Sequence, residues 1–303
     1  MVPWEGGGYD VDAIIFGADG QLGRELSRSV PPGWQVQALT FAAWDLTRGR
    51  ETYDLLARHR PRLVINAAAY TAVDMAESKP EAASAVNSVA PGLLAKASRS
   101  LGLRLIHVST DYVFSGQTWR PYRPDDPPHP LGVYGRSKAE GERLVMIHSE
   151  GKATLFRTAW LYAAHGQNFP RTILRLLQER ERLQVIADQV GSPTWARGLA
   201  RAIWEAARRP ERGGIWHWTD AGVASWYDLA VAIQEEALAL GLLTHPIPIE
   251  PIPTSGYPLP APRPAYSVLD CTATWDWLEL TPMHWRQALR EMLAELSGQN
   301  VTK

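Results

Sequence analysis

The chain has 303 residues, a formal net charge of −1 and one cysteine, Cys271. This charge gives no reason to expect nucleic acid or a membrane surface as a partner. The single cysteine excludes an intrachain disulfide framework and suits the cytoplasm. No apolar run approaches the roughly 20 residues that cross a bilayer. Met1–Asp10 lacks the features of a signal peptide and is predicted to be a short flexible lead-in.

Strands and helices alternate through the first half of the chain. Strands are predicted at Val11–Phe16, Trp34–Leu39, Arg62–Asn66, Leu103–Val108 and Ala153–Arg157, and helices at Gln21–Val30, Glu51–His59, Glu81–Leu101 and Gly132–Ser149. This alternation predicts an α/β fold with a Rossmann-type, doubly wound parallel sheet covered by helices on both faces.

The rhythm loosens beyond Trp160. Helices are predicted at Phe169–Arg180, Arg197–Arg208, Ser225–Leu240 and Trp285–Leu296, and strands at Leu183–Ile186 and Ile215–Trp218. The eight prolines of Thr244–Pro264 predict an extended, loop-like segment. Residues 1–160 are assigned to the Rossmann domain, to which 184–220 return. Residues 161–303 are assigned mainly to a smaller, mixed substrate-binding region.

Three glycines follow the first predicted strand, at Gly17, Gly20 and Gly23. They would permit a tight turn and a close approach of the backbone to a pyrophosphate, at the N-terminus of the next helix. The alternative is an ordinary glycine-rich turn. The strand–turn–helix context favours dinucleotide binding.

The end of the second strand does not settle which dinucleotide is bound. No acid follows Leu39 to bind an adenosine ribose, and no arginine stands beside Thr40 to hold a 2′-phosphate. Asp45-Leu46 could flank the adenine, although a helix-capping role for Asp45 is nearly as good. Small residues in Asn66–Thr71 would let a flat cofactor pass, or would simply form a tight turn. NADH and NADPH both remain open.

Tyr134 and Lys138 lie four residues apart in a predicted helix, and therefore on one face. An ammonium beside a phenol stabilises the phenolate, which a group with a pKa of about 10 needs in order to exchange protons near neutrality. The hydroxyls of Ser109 and Thr110, at the end of a strand, would complete a proton-transfer site. This order of motifs is more specific than the tyrosine–lysine spacing alone, which arises often by chance.

The chain lacks the motifs of two other enzyme classes. Its eight histidines are scattered, without an H-E-x-x-H motif or a Cys/His cluster, so no zinc-type site is expected. No G-x-S-x-G motif indicates a serine hydrolase.

Together these motifs resemble the extended short-chain dehydrogenase/reductases and, within them, the dTDP-4-dehydrorhamnose reductase family. The resemblance covers Asp12 to Leu296. It is carried by GADGQLG (17–23), VINAAAYTAVDMAE (64–77), STDYVFSG (109–116), VYGRSKAEGE (133–142), FRTAWLY (156–162), NFPRTILRL (168–176), DQVGSPT (188–194) and YPLPAPRPAYSVLD (257–270).

The resemblance implies a role for each matching residue. Tyr134 would be the proton donor, Lys138 would bind the nicotinamide ribose and lower the pKa of Tyr134, and Thr110 would orient the carbonyl of a dTDP-4-keto-6-deoxy sugar. The implied cofactor contacts are Gly20, Gln21, Leu22, Asp45, Leu46, Ala69, Tyr70 and Thr71. The implied substrate contacts are Asp111, Trp160, Asn168 and Arg263. The loop Phe114–Leu131 is expected to close over the substrate.

Several alternatives stay open. A non-catalytic relative, like the regulatory subunit of methionine adenosyltransferase, would not need Thr110, Tyr134 and Lys138 together. A reductase or epimerase of another dTDP-deoxy sugar, or a nucleotide-sugar dehydratase, is a further alternative. Dehydratases of this superfamily typically place Glu after the Thr-Asp pair, where Tyr112 stands here. A Mg2+ ion and a homodimer also remain open.

Overall fold

The computed structural model describes residues 11–209 and 212–298, so the lead-in predicted at Met1–Asp10 lies outside the described residues. The strands are β1 (Ala13–Phe16), β2 (Val36–Leu39), β3 (Leu63–Asn66), β4 (Arg104–Thr110), β5 (Thr154–Thr158), β6 (Leu161–Tyr162), β7 (Leu183–Ile186), β8 (Val190–Gly191), β9 (Thr194–Trp195), β10 (Gly214–His217), β11 (Ala224–Ser225) and β12 (Ile249–Ile252).

Six of these strands form a parallel sheet in the order β10-β5-β4-β3-β1-β2. Strands β1, β3 and β5 are buried along their whole length, as their apolar sequences require when helices cover both faces. The predicted Rossmann-type fold is confirmed. Because all six strands run the same way, their carboxyl ends form one edge, where ligands of such sheets bind.

The helices are α1 (Gln21–Arg28), α2 (Gly49–His59), α3 (Val73–Ser78), α4 (Pro80–Ser84), α5 (Ala90–Ser100), α6 (Val133–His148), α7 (Phe169–Glu179), α8 (Ala196–Arg208), α9 (Trp226–Ala239), α10 (Thr272–Leu278) and α11 (Trp285–Leu296). One face of the sheet packs against apolar side chains of α1, α8 and α10. The other face packs against α2, α5 and α6.

A second lobe packs its own core from α7, α9 and α11 with short strands. In it β7 pairs with β12, β8 with β11, and β6 with β9. The chain returns to the main sheet through α8 and β10, and again through α10, which packs on α8 and β10. The strand Leu183–Ile186 stays in the second lobe.

Two expectations about secondary structure are wrong. The helix predicted at Glu81–Leu101 is interrupted by a π-helical turn, Ala85–Val89. The proline-rich segment contains a regular strand, β12. It tolerates prolines because it is an edge strand. Pro248 O, just before β12, and Ile252 O, at its end, accept from Leu183 N and Ala187 N, and these bonds need no proline N–H.

The loop Phe114–Leu131 does not close over the cleft at the edge of the sheet. Its backbone bonds to Val113, Val268 and Asp270, and Tyr122 stacks on Phe114 in a small apolar cluster with Leu269. The loop is therefore part of the body of the protein.

Candidate active site

A cavity of about 900 Å³ opens at the carboxyl ends of the parallel strands. Most of the predicted site residues line it: Gly17, Gly20, Gln21, Leu22, Asp45, Leu46, Ala69, Tyr70, Thr71, Ser109, Thr110, Asp111, Tyr134, Lys138 and Trp160. Gly23, Asn168 and Arg263 lie outside the lining. The motifs separated by more than a hundred residues in sequence thus meet in one cleft.

The glycine loop fits a dinucleotide by its geometry. Gly17 has φ +80°, and a Cβ there would lie 2.6 Å from Ala68 N. A Cβ on Gly23 would lie 2.1 Å from the carbonyl oxygen of Gly17, so Gly23 serves the turn itself. Gly20, by contrast, has only that oxygen near its missing Cβ, at 3.3 Å. Its bare backbone leaves room for a pyrophosphate at the free N–H groups that begin α1.

Asp45 has a structural partner as well as a place in the cavity. Its Oδ1 accepts from the backbone N and hydroxyl of Thr47, at 3.0 and 2.7 Å. These hydrogen bonds lower the pKa of Asp45. The carboxylate therefore closes the turn before α2 while Asp45 still lines the cavity beside Leu46.

The loop Ala69–Thr71 is held by Asn87, a residue that the sequence did not single out. Asn87 accepts from Tyr70 N at 2.8 Å and donates to Tyr70 O and to Ser137 Oγ, both at 3.0 Å. The π-helical turn carries Asn87 against α6, where a Cβ on Gly141 would lie 1.9 Å from Asn87 O. The loop Ala69–Thr71 and the helix of Tyr134 are thus fixed to each other.

Tyr134 lies beside Thr110 at the base of the cavity. Burial raises the pKa of Tyr134, and a hydrogen bond with Thr110 acts in the opposite direction. The Thr110 hydroxyl donates to Asp111 Oδ1 at 3.0 Å and accepts from Tyr112 N at 3.2 Å. Burial also raises the pKa of Asp111 to about 6. The phenol is therefore protonated at neutral pH, as a proton donor must be.

Lys138 is buried on the same face of α6 and donates from Nζ to Val108 O of β4 at 2.7 Å. Burial lowers the pKa of Lys138 to about 8. The spacing to Lys138 predicts a lowered Tyr134 pKa, but burial raises that pKa, and Thr110 is the neighbour whose hydrogen bond lowers it.

Ser109 contributes a hydroxyl to the cavity wall next to this pair. Its Oγ is buried without a hydrogen-bond partner among the described residues. An unpaired buried hydroxyl facing a cavity fits contact with a bound ligand.

The opposite wall of the cavity is aromatic. Trp160 stacks on Trp226 with ring centroids 3.5 Å apart and an interplanar angle of 1°. Trp160 adopts φ +48°, which is uncommon for a residue other than glycine and costs conformational energy. A Cβ on Gly191 would lie 2.6 Å from the Trp160 ring, so the stack is confined from behind. Sequence reasoning missed Trp226, which has no motif of its own.

Asn168 ties the two lobes together. Its Nδ2 donates to Gln21 Oε1 at 2.7 Å and to Ala163 O at 2.8 Å, while its Oδ1 caps α7 through Arg171 N. Asn168 therefore positions Gln21, which lines the cavity, and does not itself reach the lining.

Arg263 is held in an ion pair outside the cavity lining. Its guanidinium binds both oxygens of Asp74, at 2.6 and 2.7 Å, and also contacts Tyr112. Tyr112, which lines the cavity, thus lies between Arg263 and the cavity. Asp74 lies on α3, a short helix that the sequence did not predict.

Glu77, also on α3, is a further residue that the sequence missed. Its Oε1 accepts from Val133 N at 2.7 Å, at the start of α6. A Cβ on Gly132 would lie 2.6 Å from the same oxygen. Glu77 therefore fixes the end of α6 that carries Tyr134.

Two further observations concern metals and membranes. Within residues 11–209 and 212–298, no group of three or more His, Cys, Asp or Glu side chains is placed to hold a metal ion. The suggestion of Mg2+ therefore finds no support. Over the same residues, no helix is long and apolar enough to cross a membrane.

Comparison with known proteins identifies the family. Residues 12–297 match the family model described as RmlD substrate binding domain. The chain is 43% identical over 296 residues to dTDP-4-dehydrorhamnose reductase from Burkholderia thailandensis, covering 94% of this chain and 99% of that protein. It is 43% identical over 291 residues to a probable dTDP-4,6-dihydroxy-2-methyloxan-3-one 4-ketoreductase from Streptomyces antibioticus, covering 93% and 95%.

Among solved structures, the chain resembles dTDP-4-dehydrorhamnose reductase from Bacillus anthracis in complex with NADP. The TM-score is 0.88 at 32% identity, covering 94% of this chain and 99% of that one. These matches confirm the resemblance found in the sequence. The chain belongs to the RmlD substrate binding domain family, whose matching relatives include dTDP-4-dehydrorhamnose reductases.

Proposed function

We propose that this protein reduces the C4 keto group of dTDP-4-dehydro-β-L-rhamnose to give dTDP-L-rhamnose, with NADH or NADPH as reductant. The observation that carries the proposal is the convergence of Tyr134, Thr110 and Lys138 in the cavity that the glycine loop lines. The relatives named as reductases of this substrate, at up to 43% identity, support it.

The residues would act by holding and moving one proton. When bound, the reduced nicotinamide would supply the hydride for the C4 carbon. The phenol of Tyr134 donates its proton to the C4 oxygen as that oxygen gains charge. The raised pKa of Tyr134 keeps the proton in place until then. Thr110, fixed by Asp111 and by Tyr112 N, orients the oxygen.

The remaining residues hold the two ligands. Lys138 and Ser109 would bind the nicotinamide ribose, and Gly20, Gln21 and Leu22 the pyrophosphate. The stacked pair Trp160 and Trp226 would form the apolar wall for the 6-deoxy sugar, which carries a methyl group. Arg263 could reach a substrate phosphate only if it exchanged its bonds with Asp74.

A second candidate is reduction of a different dTDP-keto sugar. The relative from Streptomyces antibioticus, named as a probable 4-ketoreductase of another dTDP sugar, is also 43% identical. A non-catalytic binding role is the third, and the complete trio Thr110, Tyr134 and Lys138 argues against it.

One assay separates these candidates. Oxidation of NADH and NADPH is followed at 340 nm with purified protein and a panel of dTDP-keto sugars. We expect the highest kcat/KM with dTDP-4-dehydro-L-rhamnose. A higher kcat/KM with another sugar would favour the second candidate, and dinucleotide binding without oxidation in the presence of any of them would favour the third.

A further inference from the structure

A carboxylate lies at the end of the cavity where the adenosine is expected, although no acidic residue follows the second strand in the sequence. In Rossmann folds an acid after the second strand binds the 2′-hydroxyl of the adenosine ribose, or an arginine there holds a 2′-phosphate. Here β2 ends at Leu39, and Thr40 Oγ1 accepts from Ala43 N at 3.2 Å within a turn. The next residue, Phe41, is 70% exposed and lines the cavity.

Asp19 of the glycine loop reaches this position from the neighbouring strand. Its Oδ1 accepts from Phe41 N at 3.1 Å. Asp19 is exposed and lines the cavity, and in residues 11–209 and 212–298 no other donor bonds to its carboxylate. A carboxylate thus lies directly beyond β2, although it comes from the loop after β1.

The charges around Asp19 do not favour a second phosphate. Asp45, four residues after Phe41, adds another carboxylate to the cavity lining. Lys138 is the one cationic side chain in the described lining, and it bonds to Val108 O near the base. Arg24 and Arg48 stand nearby, the first bonded to Asp19 O, but neither lines the cavity.

We propose that Asp19 binds the adenosine ribose and, with Asp45, makes the protein prefer NADH to NADPH. This inference rests on the proposed function, since it concerns the dinucleotide of that reaction. A ribose 2′-hydroxyl can donate to the free oxygen of Asp19. A 2′-phosphate is largely deprotonated at neutral pH and therefore has almost no proton to donate to a carboxylate. Its negative charge would also face two carboxylates. Discrimination between NADH and NADPH then comes from repulsion of the 2′-phosphate as well as from attraction of the 2′-hydroxyl.

The test is equilibrium binding measured by calorimetry, independent of turnover. Dissociation constants for NADH and NADPH are measured with the wild type and with Asp19→Asn at one fixed salt concentration. Asp54→Asn is the control, because Asp54 is a half-exposed acid on α2 paired with Arg50 and lies outside the cavity.

We expect the wild type to bind NADH at least about tenfold more tightly than NADPH, a difference of about 1.4 kcal/mol. Asp19→Asn should weaken NADH binding and strengthen NADPH binding, while the control keeps the wild-type ratio. Equal or tighter NADPH binding by the wild type, or an unchanged ratio in Asp19→Asn, would overturn the inference and leave the reductase proposal standing. Binding of neither dinucleotide would overturn both.

Discussion

The two walls of the cavity are built in different ways. The wall on the parallel sheet is polar and closely hydrogen-bonded: Thr110 lies on β4, and Tyr134 and Lys138 lie on α6. Asn87 holds α6 to the loop Ala69–Thr71, Glu77 holds it to α3, and Lys138 bonds to β4. The wall on the second lobe is an aromatic stack of Trp160 and Trp226, two residues that are 66 positions apart in the sequence. The first wall suits chemistry that needs a fixed proton. The second suits recognition of an apolar sugar face.

The largest expected effect is on kcat, when Tyr134 of the polar wall is replaced. Tyr134→Phe should lower kcat by about 100-fold or more, because it removes the proposed proton donor. Dinucleotide binding should remain. Tyr112→Phe is the matched control: Tyr112 packs edge-on to Tyr134 with centroids 5.5 Å apart but is given no proton to transfer. Turnover of Tyr134→Phe close to that of Tyr112→Phe would remove Tyr134 from the acid role.

The polar wall should also give the reaction its alkaline limit. An ammonium whose pKa is lowered from 10.5 to about 8 is charged below pH 8 and neutral above it. If Lys138 binds the ribose as a cation, kcat/KM should fall by about tenfold for each pH unit above 8. Initial rates from pH 6 to 10 measure this, with circular dichroism to confirm that the fold persists. A profile that stays flat to pH 10 would contradict it.

The aromatic wall should affect the sugar and not the cofactor. Trp226→Ala removes half of the stack and should raise KM for the sugar nucleotide by about tenfold, since stacked aromatic pairs contribute about 0.5–1.5 kcal/mol beyond the area they bury. The dissociation constant for the dinucleotide should not change. Trp119→Ala is the control, as Trp119 is 92% exposed and lies outside the cavity. A weaker dinucleotide affinity in Trp226→Ala, with KM unchanged, would reverse the assignment of the walls.

The smallest expected effect concerns Glu77, which supports the polar wall from behind. Glu77→Ala removes the acceptor for Val133 N and should cost about 1 kcal/mol of unfolding free energy, as for the loss of a helix cap. The kcat should fall a few-fold because the first turn of α6 carries Tyr134. Glu77→Gln keeps an acceptor oxygen and should restore most of both. Equal loss in the two variants would mean that the bond to Val133 is not what matters.

The same contrast explains what the sequence could and could not predict. The spacing of Gly17, Gly20 and Gly23 predicts a turn. The apolar runs of β1, β3 and β4 predict strands of a parallel sheet. Trp226 and Asn87 carry no such signal, because their positions depend on packing across the molecule. The substrate contacts implied by the family resemblance differ in their positions. Trp160 lines the cavity, whereas Asn168 and Arg263 lie outside the lining and bond to Gln21 and Asp74.

Local rules also failed where tertiary contacts overrode them. The prolines near β12 predicted a loop, yet the strand pairs with β7, and the bonds that flank the pair use the carbonyls of Pro248 and Ile252 rather than a proline N–H. The spacing of Tyr134 and Lys138 predicted a phenol with a lowered pKa. Their shared face is real, but burial raises that pKa instead. Neither effect can be read without the neighbours that the fold supplies.

The most direct test of the account is the path of a single label. The purified protein is supplied with dTDP-4-dehydro-L-rhamnose and with NADH carrying deuterium at both C4 positions of the nicotinamide, and the product is examined by mass spectrometry and NMR. We expect dTDP-L-rhamnose with one deuterium at C4 of the sugar. Oxidation of the dinucleotide without deuterium in the sugar, or binding of both ligands without any product, would contradict it.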